Sequence, residues 1–185
     1  DAPAPAMPVR NRASAPRAAR RAPVDRSAGL VTLGDRLFRA RNFAKANERY
    51  RAGVDASPSS VLPYIRLAQV AFARGAYQEA ANRFRDSFVA NPSWPGSADA
   101  AQVLGKVVAL YANPAQFDAE IQALESYLQT RPDDGDGWFV LGMERLLADD
   151  RRQASDAFLR AGAGGGDARP ELEALLKVCG PPAQP

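Results

Sequence analysis

The sequence predicts an all-α fold of stacked antiparallel helix pairs, and three observations support that prediction. Apolar and small residues recur after 34 positions, which is the period of helix–turn–helix repeats. Within each copy the apolar residues follow the 3.6-residue spacing of amphipathic helices. The first two copies end at Pro58 and Pro92, and the residue before a proline disfavours helical geometry. Because one helix pair cannot bury its own apolar face, the copies are expected to stack into one elongated domain.

The recurrence is clearest in the first two repeats, expected at residues 27–60 and 61–94. The matched positions are Leu33, Gly34, Leu37, Ala46, Tyr50 and Pro58, answered by Leu67, Ala68, Ala71, Ala80, Phe84 and Pro92. The apolar spacing predicts helices at about 27–41, 43–55, 61–74 and 77–90. Ser60 is a candidate N-cap, and Gly75 suits the turn between the second pair of helices.

The third repeat, residues 95–134, departs from the pattern. Its closing Pro132 lies 40 positions after Pro92, and Glu120 stands where a small residue of the second helix is expected. We expect a long first helix at about 97–112, a turn at Asn113 and a second helix at about 116–130. A unit of this kind would bend the stack.

The fourth repeat, residues 135–168, restores the pattern. Its matched positions are Trp138, Leu141, Gly142, Ala154, Phe158 and Ala161. Helices are predicted at about 136–148 and 151–163, and three glycines at 164–166 form a connector. A short helix from about Pro170, within 169–179, is expected to cap the end of the stack, with a flexible C-terminus at 180–185.

These repeated residues resemble those of the tetratricopeptide repeat (TPR) family, with about four repeats of which the third is irregular. The resemblance implies a right-handed α-solenoid that acts as a non-catalytic scaffold for protein–protein interaction. TPR proteins commonly bind an extended peptide in a concave groove lined by the first helix of each repeat. Carried over by the motif alignment, the groove residues here are Asp35, Phe38, Arg39, Arg66, Gln69, Phe72, Lys106, Phe139 and Met143.

Alternatives to groove binding stay open. Phe38, Phe72 and Met143 could instead pack between helices, since a helical apolar stripe is usually core. The chain could also be a self-association module that forms a homo-oligomer, or an accessory domain of a larger enzyme or secreted protein. The TPR subclass that clamps chaperone C-terminal carboxylates is disfavoured, because Asp35 occupies a clamp position and would repel a carboxylate.

The composition argues against several classes of function. Histidine is absent, which removes the commonest general base at neutral pH and the commonest metal ligand. The acidic stretch at 133–137 lacks the ligand spacing of a calcium loop, and the glycines at 164–166 have no phosphate-loop lysine. We therefore expect no enzyme activity, no metal, no cofactor and no small-molecule substrate.

The first 26 residues are expected to be a disordered tail or linker rich in Ala, Pro and Arg. Six arginines against two aspartates give this tail a charge of +4. No aromatic residue is interleaved for base stacking, so we expect a protein or peptide partner and not nucleic acid.

The compartment is left open by the sequence. No apolar run is long enough to span a bilayer, so we expect a soluble domain, either cytoplasmic or exported to the periplasm. The chain starts with Asp1, which leads us to expect an upstream segment, and any membrane association would come through an anchor there. The high Ala, Arg and Gly content is typical of a bacterium with a GC-rich genome.

Overall fold

The computed structural model describes residues 23–98, 100–163 and 170–180. Within those ranges the chain forms helices and turns without a strand, which confirms the predicted all-α fold. The α-helices are α1 (Pro23–Arg39), α2 (Phe43–Ala56), α3 (Val61–Ala73), α4 (Tyr77–Ala90), α5 (Ala100–Val103), α6 (Pro114–Thr130), α7 (Gly135–Leu147), α8 (Arg151–Ala163) and α9 (Pro170–Cys179). The disordered tail was predicted to reach residue 26, but α1 already begins at Pro23, so the prediction is wrong for residues 23–26. The expectations for residues 1–22, the glycines at 164–166 and the residues 181–185 fall outside the described residues.

Three helix pairs form the frame: α1 with α2, α3 with α4, and α7 with α8. In the first and last pairs a glycine of the first helix lies against an aromatic ring of the second. A Cβ added to Gly34 would lie 2.6 Å from Tyr50 Cδ1, and one added to Gly142 would lie 2.5 Å from Phe158 Cδ1. The recurring glycine is therefore explained by the close approach of the two helices.

The turn inside each pair ends the first helix in the same way. One residue adopts the left-handed conformation, namely Arg41 (φ 55°), Gly75 (φ 72°) or Asp149 (φ 65°). The next amide then bonds to a carbonyl five residues back, and the three distances are 2.9, 2.9 and 2.8 Å. This geometry satisfies carbonyls that the helix end would leave without partners.

The third repeat does not form the predicted helix pair. The expected first helix at about 97–112 is wrong: α5 covers only Ala100–Val103, and a 3₁₀ turn covers Val108–Leu110. Gly105 lies between them with φ 69°, a conformation that a right-handed helix does not contain. The predicted second helix is present as α6.

Because the third repeat forms no pair, α7 stacks directly on α4. The Phe84 and Phe139 rings meet edge to face with centroids 6.4 Å apart. The Arg85 guanidinium lies 5.1 Å from the Phe139 ring, and its Nη2 donates to Asp136 Oδ1 at 2.5 Å. Residues 100–130, which we call the insert, therefore do not lie between the second and fourth repeats, which are in direct contact.

The helix α9 packs against α8 and against the 3₁₀ turn Trp94–Gly96 that follows α4. It buries Leu172 and Leu175, and Arg151 Nη1 donates to the Val178 carbonyl oxygen at 3.1 Å. That this helix caps the stack stays a prediction. In the part of the chain that is described, no helix combines the length and the apolar character needed to cross a membrane.

Candidate protein-interaction face

The helices α1, α3 and α7 are the first helices of the three pairs, and we call the surface that they share the first-helix face. Six of the nine predicted groove residues are buried in the structure, each at most 6% exposed: Phe38, Arg66, Gln69, Phe72, Phe139 and Met143. Asp35 is half-buried, while Arg39 and Lys106 are exposed. The alternative in which the apolar residues of this set pack in the interior is therefore the one that the structure shows.

Two of the predicted groove positions belong to other parts of the molecule. Phe139 lies between Phe84 and Phe158, with ring centroids 6.4 and 6.2 Å away, so it is part of the contact between pairs. Lys106 lies in the turn after α5 and not on a first helix, because the helix predicted around it does not form. Neither residue contributes to the first-helix face.

The insert covers this face with a run of aromatic rings. Centroid distances are 5.1 Å from Phe38 to Tyr111, 5.4 Å from Tyr111 to Phe117 and 6.4 Å from Phe117 to Phe72. All three pairs are close to edge to face, the arrangement that aromatic rings favour. Tyr111 and Phe117 are almost fully buried, so the insert joins α1 to α3 through an apolar contact.

Polar contacts fix the insert at the α1 edge of the face. Arg39 Nη2 donates to the Ala109 carbonyl oxygen, and Arg41 Nη1 donates to Glu120 Oε1, both at 3.2 Å. The other Glu120 oxygen accepts from Tyr111 Oη at 2.7 Å. The Arg41 side chain is 48% exposed, and an ion pair open to water contributes little stability. The aromatic rings therefore account for most of the attachment at this edge.

A polar contact also attaches the insert to α7 at the other edge of the face. Arg145 Nη2 donates to Glu125 Oε1 at 2.7 Å. Between the two edges, the Tyr77 and Tyr127 rings meet edge to face at 4.9 Å. The helix α6 therefore contacts the second and fourth repeats as well as the first.

Asp35 lies at the centre of a hydrogen-bonded cluster beneath the face. Its Oδ1 accepts from Tyr50 Oη at 2.8 Å and from Arg66 Nε at 3.0 Å. Arg66 Nη1 donates in turn to Gln69 Oε1 at 2.9 Å. Burial, and then the Asp35 carboxylate, raise the pKa of Tyr50 well above its usual range. Three residues that the alignment assigned to a binding groove thus hold the first two repeats together.

Glu144 on α7 is a residue that the sequence analysis did not single out. It is fully buried, and among the described residues neither its carboxylate oxygens nor Gln69 Nε2 has a hydrogen-bond partner of good geometry. Burial, and then the charge of Glu120, raise the pKa of Glu144 to about 8, while Gln69 and Arg66 oppose that shift. A carboxylic acid therefore lies under the insert close to an amide that does not fully satisfy it.

The position of Glu144 was readable from helical spacing. Val140, Leu141 and Leu147 lie three or four positions away, and the 3.6-residue period places them on the same side of α7. All three are buried. A charged residue in such an apolar stripe predicts a buried polar group.

A separate cavity of about 420 Å³ lies between α6, α7 and α8. Trp138 forms one wall, with the Arg160 guanidinium 4.5 Å from its ring. Glu125, Arg145 and Asp156 bring charges of both signs. Among the described residues no group of His, Cys, Asp and Glu is placed to hold a metal ion.

Comparison with known proteins adds likenesses of fold. No family model matches the chain, and no curated protein does. The structures that are similar include the first TPR of Spaghetti (RPAP3) bound to the HSP90 peptide SRMEEVD, with 13% identity, 84% of this chain and 91% of that chain covered, and a TM-score of 0.40. The Sgt2 TPR domain from Aspergillus fumigatus shows 16% identity, coverage of 83% and 76%, and a TM-score of 0.38. A MamA RS-1 ArsTM double mutant shows 15% identity, coverage of 83% and 93%, and a TM-score of 0.36.

Stacked helix pairs are established in this chain by its own packing. The direct contact of α7 with α4 and the insert over the first-helix face are features of this chain's own geometry.

Proposed function

We propose that this chain is a non-catalytic scaffold for protein–protein interaction, and that its first-helix face binds a peptide or protein segment. One observation carries the proposal: a polypeptide segment, the insert, already lies on this face, packed against Phe38 and Phe72. An apolar face that accepts a helix of its own chain has the shape and chemistry to accept a helix of another, as in helix-in-groove recognition.

The edge of the face adds a preference for acceptor groups. Arg39 and Arg41 are exposed at the α1 edge, and each donates to an oxygen of the insert. Guanidinium groups at such an edge favour segments that bring carboxylates or free carbonyl oxygens. The expected partner is therefore a segment with aromatic side chains and at least one acidic residue.

Access to the buried part of the face depends on the insert. Phe38 and Phe72 are at most 2% exposed while the insert is in place. A partner can reach Arg39 directly, but it reaches the aromatic side chains only if Tyr111 and Phe117 leave. Of the nine residues aligned with a TPR groove, Arg39 is thus the best position for detecting a partner.

Site-specific crosslinking tests the proposal. A photo-crosslinking amino acid is placed at position 39 of the full chain, and a matched control carries it at Glu48, which is exposed on the second helix α2. After irradiation in cell extract, mass spectrometry should recover the same protein repeatedly from position 39 and not from position 48. Recovery from position 48 alone, or equally from both, would contradict binding at the first-helix face.

A further inference from the structure

The insert lies on the first-helix face, and the contact between the second and fourth repeats does not depend on it. The contact between α4 and α7 is made by Phe84 with Phe139 and by Arg85 with Asp136, and none of these residues belongs to the insert. The connection from α4 to α6 is long, and its described residues, which do not include residue 99, form α5 and two 3₁₀ turns as their regular structure. If α6 left the face, the contact between α4 and α7 would remain, because residues outside the insert make it.

The insert is also an imperfect cover. Buried polar groups in proteins almost always have hydrogen-bond partners, yet within the described part of the chain the Glu144 carboxylate and the Gln69 amide are neighbours without good hydrogen-bond geometry. From the insert, Glu144 is influenced by the carboxylate of Glu120 and lies near Tyr111. The Tyr111 hydroxyl already donates to Glu120. The insert therefore brings the charge of a second carboxylate to bear on the buried Glu144.

We propose that the insert is an intramolecular substitute for the partner and competes with it for the first-helix face. The structure of the insert defines the chemistry of that partner: an amphipathic helix with aromatic side chains spaced like Tyr111 and Phe117, and a neutral polar group in place of Glu120. This inference rests on the proposed function and adds to it the partner class and a means of regulation.

Competition of this kind sets the apparent affinity. If only a fraction of the molecules has an open face, the apparent dissociation constant rises in inverse proportion to that fraction. Weakening the insert should therefore tighten binding of a partner, although the partner's own contacts are unchanged. A partner that makes a more favourable contact with Glu144 should bind more tightly to every form of the protein.

The test measures binding of a synthetic fluorescent peptide, residues 107–130 of this chain, to the full-length chain by fluorescence anisotropy. The insert of the protein is weakened by Tyr111→Ala together with Phe117→Ala. The control protein carries Asp118→Ala with Gln122→Ala, two exposed positions of α6. The weakened protein should bind the probe at least about tenfold more tightly than wild type and control.

Two altered probes test the chemistry. A probe with alanine in place of Tyr111 and Phe117 should lose binding to the weakened protein, because it cannot form the ring contacts. A probe with Glu120→Gln should bind several-fold more tightly than the native probe, because it removes the negative charge that acts on Glu144 while its amide oxygen still accepts from Arg41. An aromatic-free probe that binds as well as the native one would overturn the assignment of the ligand. A Glu120→Gln probe that binds no better would overturn the preference for a neutral group at that position.

Equal affinity of the weakened protein and wild type for the native probe, or no binding to either, would overturn the competition. If circular dichroism shows that the doubly substituted protein has lost its helices, Glu125→Ala replaces it. That change removes from the insert its ion pair with Arg145 and leaves Arg145 available to the probe, so it should tighten probe binding about two- to threefold. If position 39 captures a partner but weakening the insert does not change the affinity for the probe, the competition is refuted and the proposed scaffold function stands.

Discussion

Replacing Gly34 by alanine should destabilise the first helix pair. The new Cβ would lie 2.6 Å from Tyr50 Cδ1 and 3.0 Å from Tyr50 Cζ, closer than side chains pack in folded proteins. The ring has little freedom to move, since Tyr50 is fully buried and its hydroxyl donates to Asp35 Oδ1 at 2.8 Å. Relief of the overlap therefore requires the two helices to separate or the hydrogen bond to lengthen.

The magnitude follows from three contributions. Overpacking of a close contact costs about 1–3 kcal/mol, and a weakened hydrogen bond between Tyr50 and Asp35 adds about 0.5–1.5 kcal/mol. Alanine gains about 0.5–1 kcal/mol over glycine within a helix. The net result is a loss of about 1–3 kcal/mol in the free energy of unfolding.

Gly29→Ala is the matched control, because Gly29 lies in the same helix and no atom would come within 4 Å of its new Cβ. It should stabilise the protein by the helical gain alone, about 0.5–1 kcal/mol. Urea unfolding of wild type and both variants, followed by far-ultraviolet circular dichroism, gives the three free energies. If Gly34→Ala were as stable as Gly29→Ala, the close approach of α1 and α2 at Tyr50 would be refuted.

Three further predictions concern the fourth repeat, the buried acid and the cluster at Asp35. Gly142→Ala should cost about 1–3 kcal/mol in the same urea assay, because its Cβ would lie 2.5 Å from Phe158 Cδ1; a loss below that of a surface substitution would contradict the packing. The pKa of Glu144 is raised from 4.5 to about 8 in the folded chain, so the folded state binds a proton that the unfolded state releases, and stability should fall by a few kcal/mol as the pH rises from about 5 to about 9. Glu144→Gln, which is neutral throughout, should flatten that slope, and an unchanged slope would show that Glu144 is not the titrating group. Arg66→Ala should lower the free energy of unfolding by about 3 kcal/mol, because it leaves the charge of Asp35 without its cation and Gln69 Oε1 without its donor beneath the face; a thermal melt matching wild type would place Arg66 outside the interior.

The helix pairs were predictable because their signals are local. The recurring glycines, alanines and aromatic rings lie at fixed offsets within each repeat, and the observed α4 (Tyr77–Ala90) and α8 (Arg151–Ala163) match their predicted ranges. The turn residues were partly readable. Gly75 was expected at its turn, whereas Arg41 and Asp149 adopt the left-handed conformation at the equivalent positions of the other pairs without a glycine to indicate it.

The insert was not predictable from periodicity. Val103, Val107, Leu110 and Tyr111 follow helical spacing, in agreement with the helix that the sequence predicts over 97–112. All four side chains are indeed buried, but Gly105 breaks the helix between them. Their burial depends on contacts with distant parts of the chain, such as Tyr111 with Phe38, and no pattern within the segment records such contacts.

The alignment placed the candidate site on the first helices, but it did not predict that the insert buries the aromatic residues there. The aligned residues identify the first helices, and Phe38, Gln69 and Phe72 do lie on the face that they share. Their burial by the insert depends on contacts such as that of Phe117 with Phe72, which join residues 45 positions apart in the sequence. The sequence analysis did not identify Glu144 because the family pattern assigns no role to its position, although helical spacing alone places it on the buried side.

The contact between the insert and the first-helix face is tested most directly by a double-mutant cycle on Phe72 and Phe117, whose ring centroids are 6.4 Å apart. Unfolding free energies are measured for wild type, Phe72→Leu, Phe117→Leu and the double variant. We expect a coupling energy of about 0.5–1.5 kcal/mol, as for other aromatic pairs in contact. Single effects that add to within about 0.3 kcal/mol would show that the two residues do not touch, and that the insert does not lie on this face.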